Sequence, residues 1–285
     1  MVSLVTGARG LLGRQLVASL RRSGTDDVLG VVRGRPDDDS EIECDLADAP
    51  SVARIIASTQ PAHIFHLAGS FSNVLEEDLR NNVLASGNLL ASVAERAPAA
   101  RVVVTGSAAE YGAVGADSNP VREDYPACPH TVYGATKLLQ TELSLFYRRR
   151  FDVNVVVARV FNLLGPGASA RLFVGRVEQQ IRRVLAGSQD GLTVGHLEAL
   201  RDYLTPAQAA DALITLMRLG RPGEIYNVGS GVPVRVGDVL TAMLAEAGVP
   251  DCPVHVEPAH SGTSHHVPVM YADVTKLMRL RASAS

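Results

Sequence analysis

VSLVTGARGLLG, residues 2–13, is the stretch on which the fold turns. It opens as a short apolar run of strand length, passes through glycines at 7, 10 and 13, and continues into Leu12, Leu16 and Leu20 at helical spacing. The three glycines permit a tight turn, a close backbone approach to a pyrophosphate, and close packing of helix on strand. A helix that begins there points free N–H groups and the positive end of its dipole at an anion. Three glycines alone are a weak motif. Their placement between a strand and a helix favours a dinucleotide site, held by Gly7, Arg9, Gly10, Leu11, Leu12 and Gly13.

Working outward, further Val- and Ile-rich runs read as buried strands: 28–33, 63–68, 101–107 and 153–160. Helical stretches at 79–96 and 134–149 separate the later pairs. Strand–helix–strand repetition predicts a parallel sheet with right-handed crossovers, a doubly wound α/β fold of Rossmann type. After about residue 162 the texture becomes mixed. A helix over 171–186, a strand at LTVG, a helix from Pro206 to about 219, a strand at EIYNVG, a helix over 237–247 and a strand at VHVE follow. Thr205, Pro206 and Gln208 form a capping-box signature for the second of these helices. The division is residues 1–162 for the dinucleotide and 163–285 for a smaller mixed α/β substrate region, with chain crossings between them.

Composition sets limits. The chain has 285 residues, 46% of them hydrophobic and 20% charged, which is ordinary globular usage. A net charge of -3 gives no pull towards nucleic acid or anionic membrane. No apolar run approaches the roughly 18 residues of a membrane helix, and Met1 leads directly into a strand with no signal peptide. A soluble, cytoplasmic enzyme is expected. Cys44, Cys128 and Cys252 are too scattered for a disulfide framework or a paired-cysteine metal site. Cys44 reads as a small core residue. His63 and His66 would point to opposite faces of one strand, and His260, His265 and His266 lack neighbouring cysteines, so no metal is expected. Asp37, Asp38 and Asp39 read as a solvated loop.

The end of the second strand bears on the cofactor. An NAD site usually places an acid there for the ribose hydroxyls. Here Arg33 and Arg35 come first and the acids arrive only at Asp37. Guanidinium groups suit a bidentate 2′-phosphate contact, which favours NADPH over NADH. Ser107 lies at the C-terminal end of a central strand, where open α/β sheets place ligands. Tyr133 and Lys137 are four apart and project from one helix face. A nearby ammonium should stabilise the phenolate and lower its pKa, fitting it for proton transfer.

TGARGLLG, HLAG (66–69), GSAAEYG (106–112), YGATK (133–137), Arg201-Asp202-Tyr203 and YNVGSG (226–231) together resemble the extended short-chain dehydrogenase/reductase family, that of the NAD-dependent epimerases and dehydratases. The resemblance spans nearly the whole chain. It implies Ser107, Tyr133 and Lys137 as the catalytic set, with Lys137 and Tyr133 also against the nicotinamide ribose. Asp45 and Leu46 would line the adenine. Leu67, Ala68, Gly69 and Val160 would border the cofactor, and Asn82 would steady the lysine through water. A nucleotide-diphosphate sugar would sit in the C-terminal part, and helices 79–96 and 134–149 would form a homodimer contact.

Within the family, RVFNLLGPG (159–167), TVGHLEALRDYL (193–204) and RPGEIYNVGSG (221–231) look most like GDP-4-keto-6-deoxy-mannose reductases and related 4-ketoreductases. That likeness implies substrate contacts from Ser107, Ala108, Ala109, Asn162, Arg171, Arg176 and Arg201, the last as a diphosphate clamp. Dehydratases carry acid and base groups where this chain has Ala108 and Ala109. Glu110, one place on, would face the other side of a continuing strand, so dehydration is disfavoured. His196 stands where the reductases commonly carry Asn, and Gln208 where Asp is usual, which leaves GDP and dTDP both open. Two alternatives remain: an epimerase that retains its NAD, and a catalytically idle NADP-binding regulator.

Overall fold

The structure, a computed structural model, describes residues 1–24, 27–257 and 267–283. The chain alternates strand and helix from its start: β1 (Val2–Thr6), α1 (Leu11–Ser23), β2 (Asp27–Val32), β3 (Glu41–Glu43), α2 (Ala49–Thr59) and β4 (His63–His66). It continues with α3 (Leu75–Asp78), α4 (Ala85–Arg96), β5 (Arg101–Ser107), α5 (Val132–Phe151) and β6 (Asn154–Val160). Leu4 and Val5 point to opposite faces of β1, yet both are fully buried. The same holds for Val102 and Val103 on β5 and for Val155 and Val156 on β6. A strand covered on both sides therefore has no polar alternation to show, and each such side chain contributes about 1.5–3 kcal/mol by leaving water.

The expected parallel sheet is present. Its order is β10-β6-β5-β4-β1-β2-β3, where β10 is Ile225–Val228, and every pairing is parallel. One face packs Val52, Ile56, Leu89, Leu90 and Val93 of α2 and α4. The other packs Leu16 and Leu20 of α1 with Leu213 and Leu216 of α7 (Pro206–Leu219). The second half of the chain thus supplies both the last strand of the sheet and a covering helix. Thr205 and Gln208 close the predicted capping box at the start of α7.

Between these returns lie β7 (Asn162–Leu163), α6 (Phe173–Leu185), β8 (Leu192–Gly195) and β9 (Leu200–Leu204). After β10 come β11 (Pro233–Arg235), α8 (Val236–Glu246), β12 (Val254–Glu257), β13 (Val269–Met270) and α9 (Thr275–Ala282). α6 and α8 share a small core over β8 and β12 through Val177, Ile181, Leu192, Val194, Leu240 and Leu244. β9 lies between β11 and β13 and also pairs with β7.

Several elements depart from the sequence reading. The helix expected over 79–96 is two pieces, a π turn over Leu79–Leu84 and α4, and the short α3 leads into them. The elements β3, α2, β9, β11, β13 and α9 were not among those expected from the sequence. β9 reads LRDYL, and its central Asp202 is fully buried because its carboxylate accepts N–H groups of Ser230, Gly231 and Ala272. His260, His265 and His266 lie outside the described residues. No described helix is long and apolar enough to cross a membrane.

Candidate active site

The glycine-rich turn starts where β1 ends. Gly7 has φ +68, and a Cβ there would lie 2.9 Å from the Ala68 nitrogen. A Cβ on Gly13 would lie 2.1 Å from the Gly7 carbonyl. Only glycine lets the turn, the β4 end and α1 come this close. Gly10 caps α1 without any side-chain hydrogen bond and the first turn holds no acid, so its N–H groups are left for an anion. Thr6 Oγ1 accepts the N–H groups of Leu67 and Ala68, both at 3.1 Å, fixing the opposite rim.

A cleft of about 420 Å³ opens over this turn. Of the residues named from sequence, Gly7, Arg9, Gly10, Arg33, Asp45, Leu46, Ala68 and Gly69 line it. Leu11, Leu12 and Gly13 begin the helix behind it, and Arg35, Leu67, Asn82 and Val160 are not in its wall. Asn81 is in the wall, which the sequence reading missed, because the π turn brings both asparagines inward: Asn81 and Asn82 are buried. Asn81 Oδ1 accepts from Arg33 Nη2 at 2.8 Å. Arg9 is held otherwise, by Glu41 and Asp37. Asp45 pairs with Arg80 at 2.6 Å. Cys44, buried, is also in the wall, and burial pushes its thiol up to about 11. The glycine turn, the uncapped helix end and the cleft fit a dinucleotide.

Ser107 hydrogen-bonds the Tyr133 phenol, and Lys137 lies one helical turn on from Tyr133 along α5. Ser107 ends β5, and its hydroxyl accepts from the Ala109 N–H at 3.2 Å. Tyr133 and Lys137 sit on the first turns of α5, whose start is capped by Thr131 and whose Tyr133 N–H donates to Asn73 Oδ1 at 3.2 Å. Lys137 is buried, and its Nζ donates to the Thr105 carbonyl at 2.6 Å and to Gln140 Oε1. Gln140 in turn donates to Ser86 Oγ at 2.7 Å, which lies 2.8 Å from His66 Nε2. Asn82 accepts the Ser70 N–H at 2.8 Å and donates to the Ser70 carbonyl and to Thr136 Oγ1. The direct partners of the Lys137 ammonium are Thr105 and Gln140.

The electrostatics also differ from expectation. Burial pulls the Lys137 ammonium down to about 8, with Glu110 acting to raise it. The Tyr133 phenol is pushed up to about 12 by burial, against a hydrogen bond with Ser107 and helped by Glu110 and Asp78. The expected lowering by Lys137 is absent, because the ammonium is committed to other acceptors and desolvation dominates. Phe71 stands edge-on to Tyr133 with ring centroids 4.6 Å apart, which contributes to that desolvation.

Glu110 does not continue a strand. The chain turns into a short 3₁₀ segment over Ala108–Glu110, which sends the carboxylate inward to full burial. There it accepts from the Ser107 N–H at 2.7 Å, Thr141 Oγ1 at 3.0 Å and Arg159 Nη2 at 2.8 Å. It is a staple beneath the site. Ala108 and Ala109 offer no titratable group above it.

On the second side, Asn162 Nδ2 donates to the Asp202 carbonyl at 2.8 Å and joins β7 to β9. Arg171 reaches across to the Phe71 carbonyl at 3.0 Å, while Arg176 is exposed on α6. Arg201 is half-buried, and among the described residues it forms no ion pair. Burial lowers its pKa, with Tyr203 acting the other way. Among the described residues no cluster of three metal-ligating side chains occurs.

This fold, with a dinucleotide cradle beside a Ser–Tyr–Lys cluster, defines the class of the short-chain dehydrogenases and reductases. Residues 3–229 match the model of the NAD dependent epimerase/dehydratase family. The chain belongs to that family of enzymes. It is 28% identical over 263 residues to the GDP-6-deoxy-D-mannose reductase of Pseudomonas aeruginosa, covering 90% of this chain and 83% of the relative. It is 30% identical over 273 residues to the UDP-glucose 4-epimerase of Mycolicibacterium smegmatis, covering 89% and 85%. Among solved structures, MoeE5 in complex with UDP-glucose and NAD superposes with a TM-score of 0.82 at 29% identity, covering 98% of this chain and 91% of that one.

Proposed function

We propose that the protein is an NADPH-dependent reductase acting on the C4 carbonyl of a nucleotide-diphosphate 4-keto-6-deoxyhexose. The observation that carries this is the Ser107–Tyr133–Lys137 set with Ala108 and Ala109 where an eliminating enzyme needs a carboxyl group. Of the two acids that act on Tyr133, Glu110 is locked in a buried ion pair with Arg159, and Asp78 is taken up by Ser70, Ser72 and Asn73. Likeness to the GDP-6-deoxy-D-mannose reductase supports the same reading.

Gly7, Gly10, Ala68, Gly69 and Arg33 would hold the dinucleotide, which when bound supplies the hydride. Tyr133 donates its phenolic proton to the developing alkoxide, and Ser107 holds the same oxygen by hydrogen bond. Lys137, one helical turn on from Tyr133, would hold the nicotinamide ribose. Arg201 offers a planar donor fork to the diphosphate. Asp45 and Leu46 border the adenine, and Arg33 is positioned for a 2′-phosphate because its described partner is a neutral amide oxygen. The protein would work as a cytoplasmic homodimer in two parts, 1–162 and 163–285.

Absorbance of the reduced nicotinamide, followed with GDP- and dTDP-4-keto-6-deoxyhexoses, tests the proposal. Stoichiometric oxidation of NADPH by one of them is the expected result. The second reading, an epimerase with retained NAD, draws on the 30% identity to a UDP-glucose 4-epimerase. Interconversion of a UDP-hexose with no net absorbance change would establish it and remove the reductase.

A further inference from the structure

Two arginines border the ribose end of the cleft, and they are held by different chemistry. Arg33 donates to an amide oxygen, so its charge is uncompensated by that contact. Arg9 faces Glu41, the first residue of the edge strand β3. Its Nε donates to Glu41 Oε1 at 3.0 Å and its Nη2 to Glu41 Oε2. The same Nη2 meets Asp37 Oδ1 at 3.0 Å and the Arg35 carbonyl at 3.0 Å. Among the described residues only Nη1 of this fork carries no contact. Glu41 is itself well seated: it accepts the Asp37 N–H at 2.9 Å, and its side chain is only 15% exposed against 42% for Arg9.

A guanidinium binds a phosphate best through one edge, two parallel N–H groups to two oxygens. The Nε–Nη2 edge of Arg9 is the one Glu41 occupies. Resting on the NADPH reading above, we propose that Glu41 is a specificity-determining residue, a built-in competitor that keeps Arg9 from the 2′-phosphate. Arg33 then reads the phosphate alone, and the site admits the unphosphorylated dinucleotide more readily than its two arginines imply. Glu41 raises the hold of Arg9 on its proton, and Arg9 lowers the pKa of Glu41, as a matched carboxylate–guanidinium pair requires.

The test is calorimetric titration of the free protein with NADPH, NADH, 2′,5′-ADP and 5′-AMP, with Glu41→Gln, Arg33→Ala and Arg9→Ala/Glu41→Gln variants. Glu41 is on the surface side of an edge strand, and glutamine keeps its length and its acceptor oxygen. Glu41→Gln should tighten NADPH and 2′,5′-ADP about tenfold, the scale of one added charge-assisted contact. NADH and 5′-AMP should stay within about twofold, and the double variant should lose the gain. NADPH affinity that is unchanged or weaker in Glu41→Gln overturns the role of Glu41, as does an equal shift in all four ligands. Arg33→Ala without effect on NADPH and 2′,5′-ADP overturns the NADPH reading itself, whichever way Glu41 behaves.

Discussion

Tyr133 shows what a single residue needs from its surroundings. A phenol titrates near 10 in water, and in this site burial moves it up to about 12. A group so protonated is a donor first, which suits delivery of a proton to an alkoxide. Tyr133→Phe should lower turnover by about 10²–10⁴-fold, the usual loss of a general acid. NADPH binding, followed by titration, should persist. Near-normal turnover in that variant would remove the mechanism. The spacing of Tyr133 and Lys137 was legible because four residues on a helix fix one face. The sign of the tyrosine shift was not legible, since it follows from burial beside Phe71 and from the β5 carbonyl of Thr105 and the α5 amide of Gln140 that hold Lys137.

Between elements, the decisive joint is Glu110. Its carboxylate gathers the end of β5 through the Ser107 N–H, α5 through Thr141 and β6 through Arg159. The three residues of the proposed catalytic set ride on two of those elements. Glu110→Gln removes the charge opposite Arg159, and breaking a buried pair costs ~3–5 kcal/mol. Chemical denaturation should show a loss of that order, and a loss below about 1 kcal/mol would mean the pair is not structural. The glutamate was visible in the sequence, and a strand continuing past Ser107 would have faced it away from Ala108 and Ala109. A 3₁₀ turn takes the place of that strand and carries the carboxylate to Arg159. The π turn before α4 acted likewise, adding a residue to the helical ladder and so bringing Asn81 to Arg33 and Asn82 to the Ser70 loop.

At the scale of the whole molecule, His66 sits at the middle of the sheet and links both halves of the site. Its ring reaches Thr6 Oγ1 at 2.8 Å on the cofactor side and Ser86 Oγ at 2.8 Å on the Lys137 side. Burial drives its pKa down to about 3, with Lys137 adding to the effect. Between that value and the ordinary value of about 6.5, the unfolded chain takes a proton that the folded chain refuses. Stability therefore rises with pH across this window and is lost on acidification, at up to about 1.4 kcal/mol per pH unit. Urea denaturation at pH 7, 6 and 5 should show that slope, and His66→Gln should flatten it before carboxylates begin to titrate. A parallel slope in the variant would assign the acid sensitivity elsewhere.

Local order in the sequence was enough to determine the β1–turn–α1 cradle, the buried parallel strands, the capping box of α7 and the Tyr133–Lys137 pair. Each rests on short-range physics: glycine's freedom at positive φ, residue periodicity, or neighbours one helical turn apart. Only the tertiary structure decided that Arg33 is available and Arg9 is held, that Glu110 is a staple, and that Asp202 ties β9 to the loop after β10. It alone returned α7 and β10 to the first half of the chain. These contacts join residues tens of positions apart. Charge and burial at such sites depend on which distant groups the folded sheet brings together, and no local pattern in the chain encodes that.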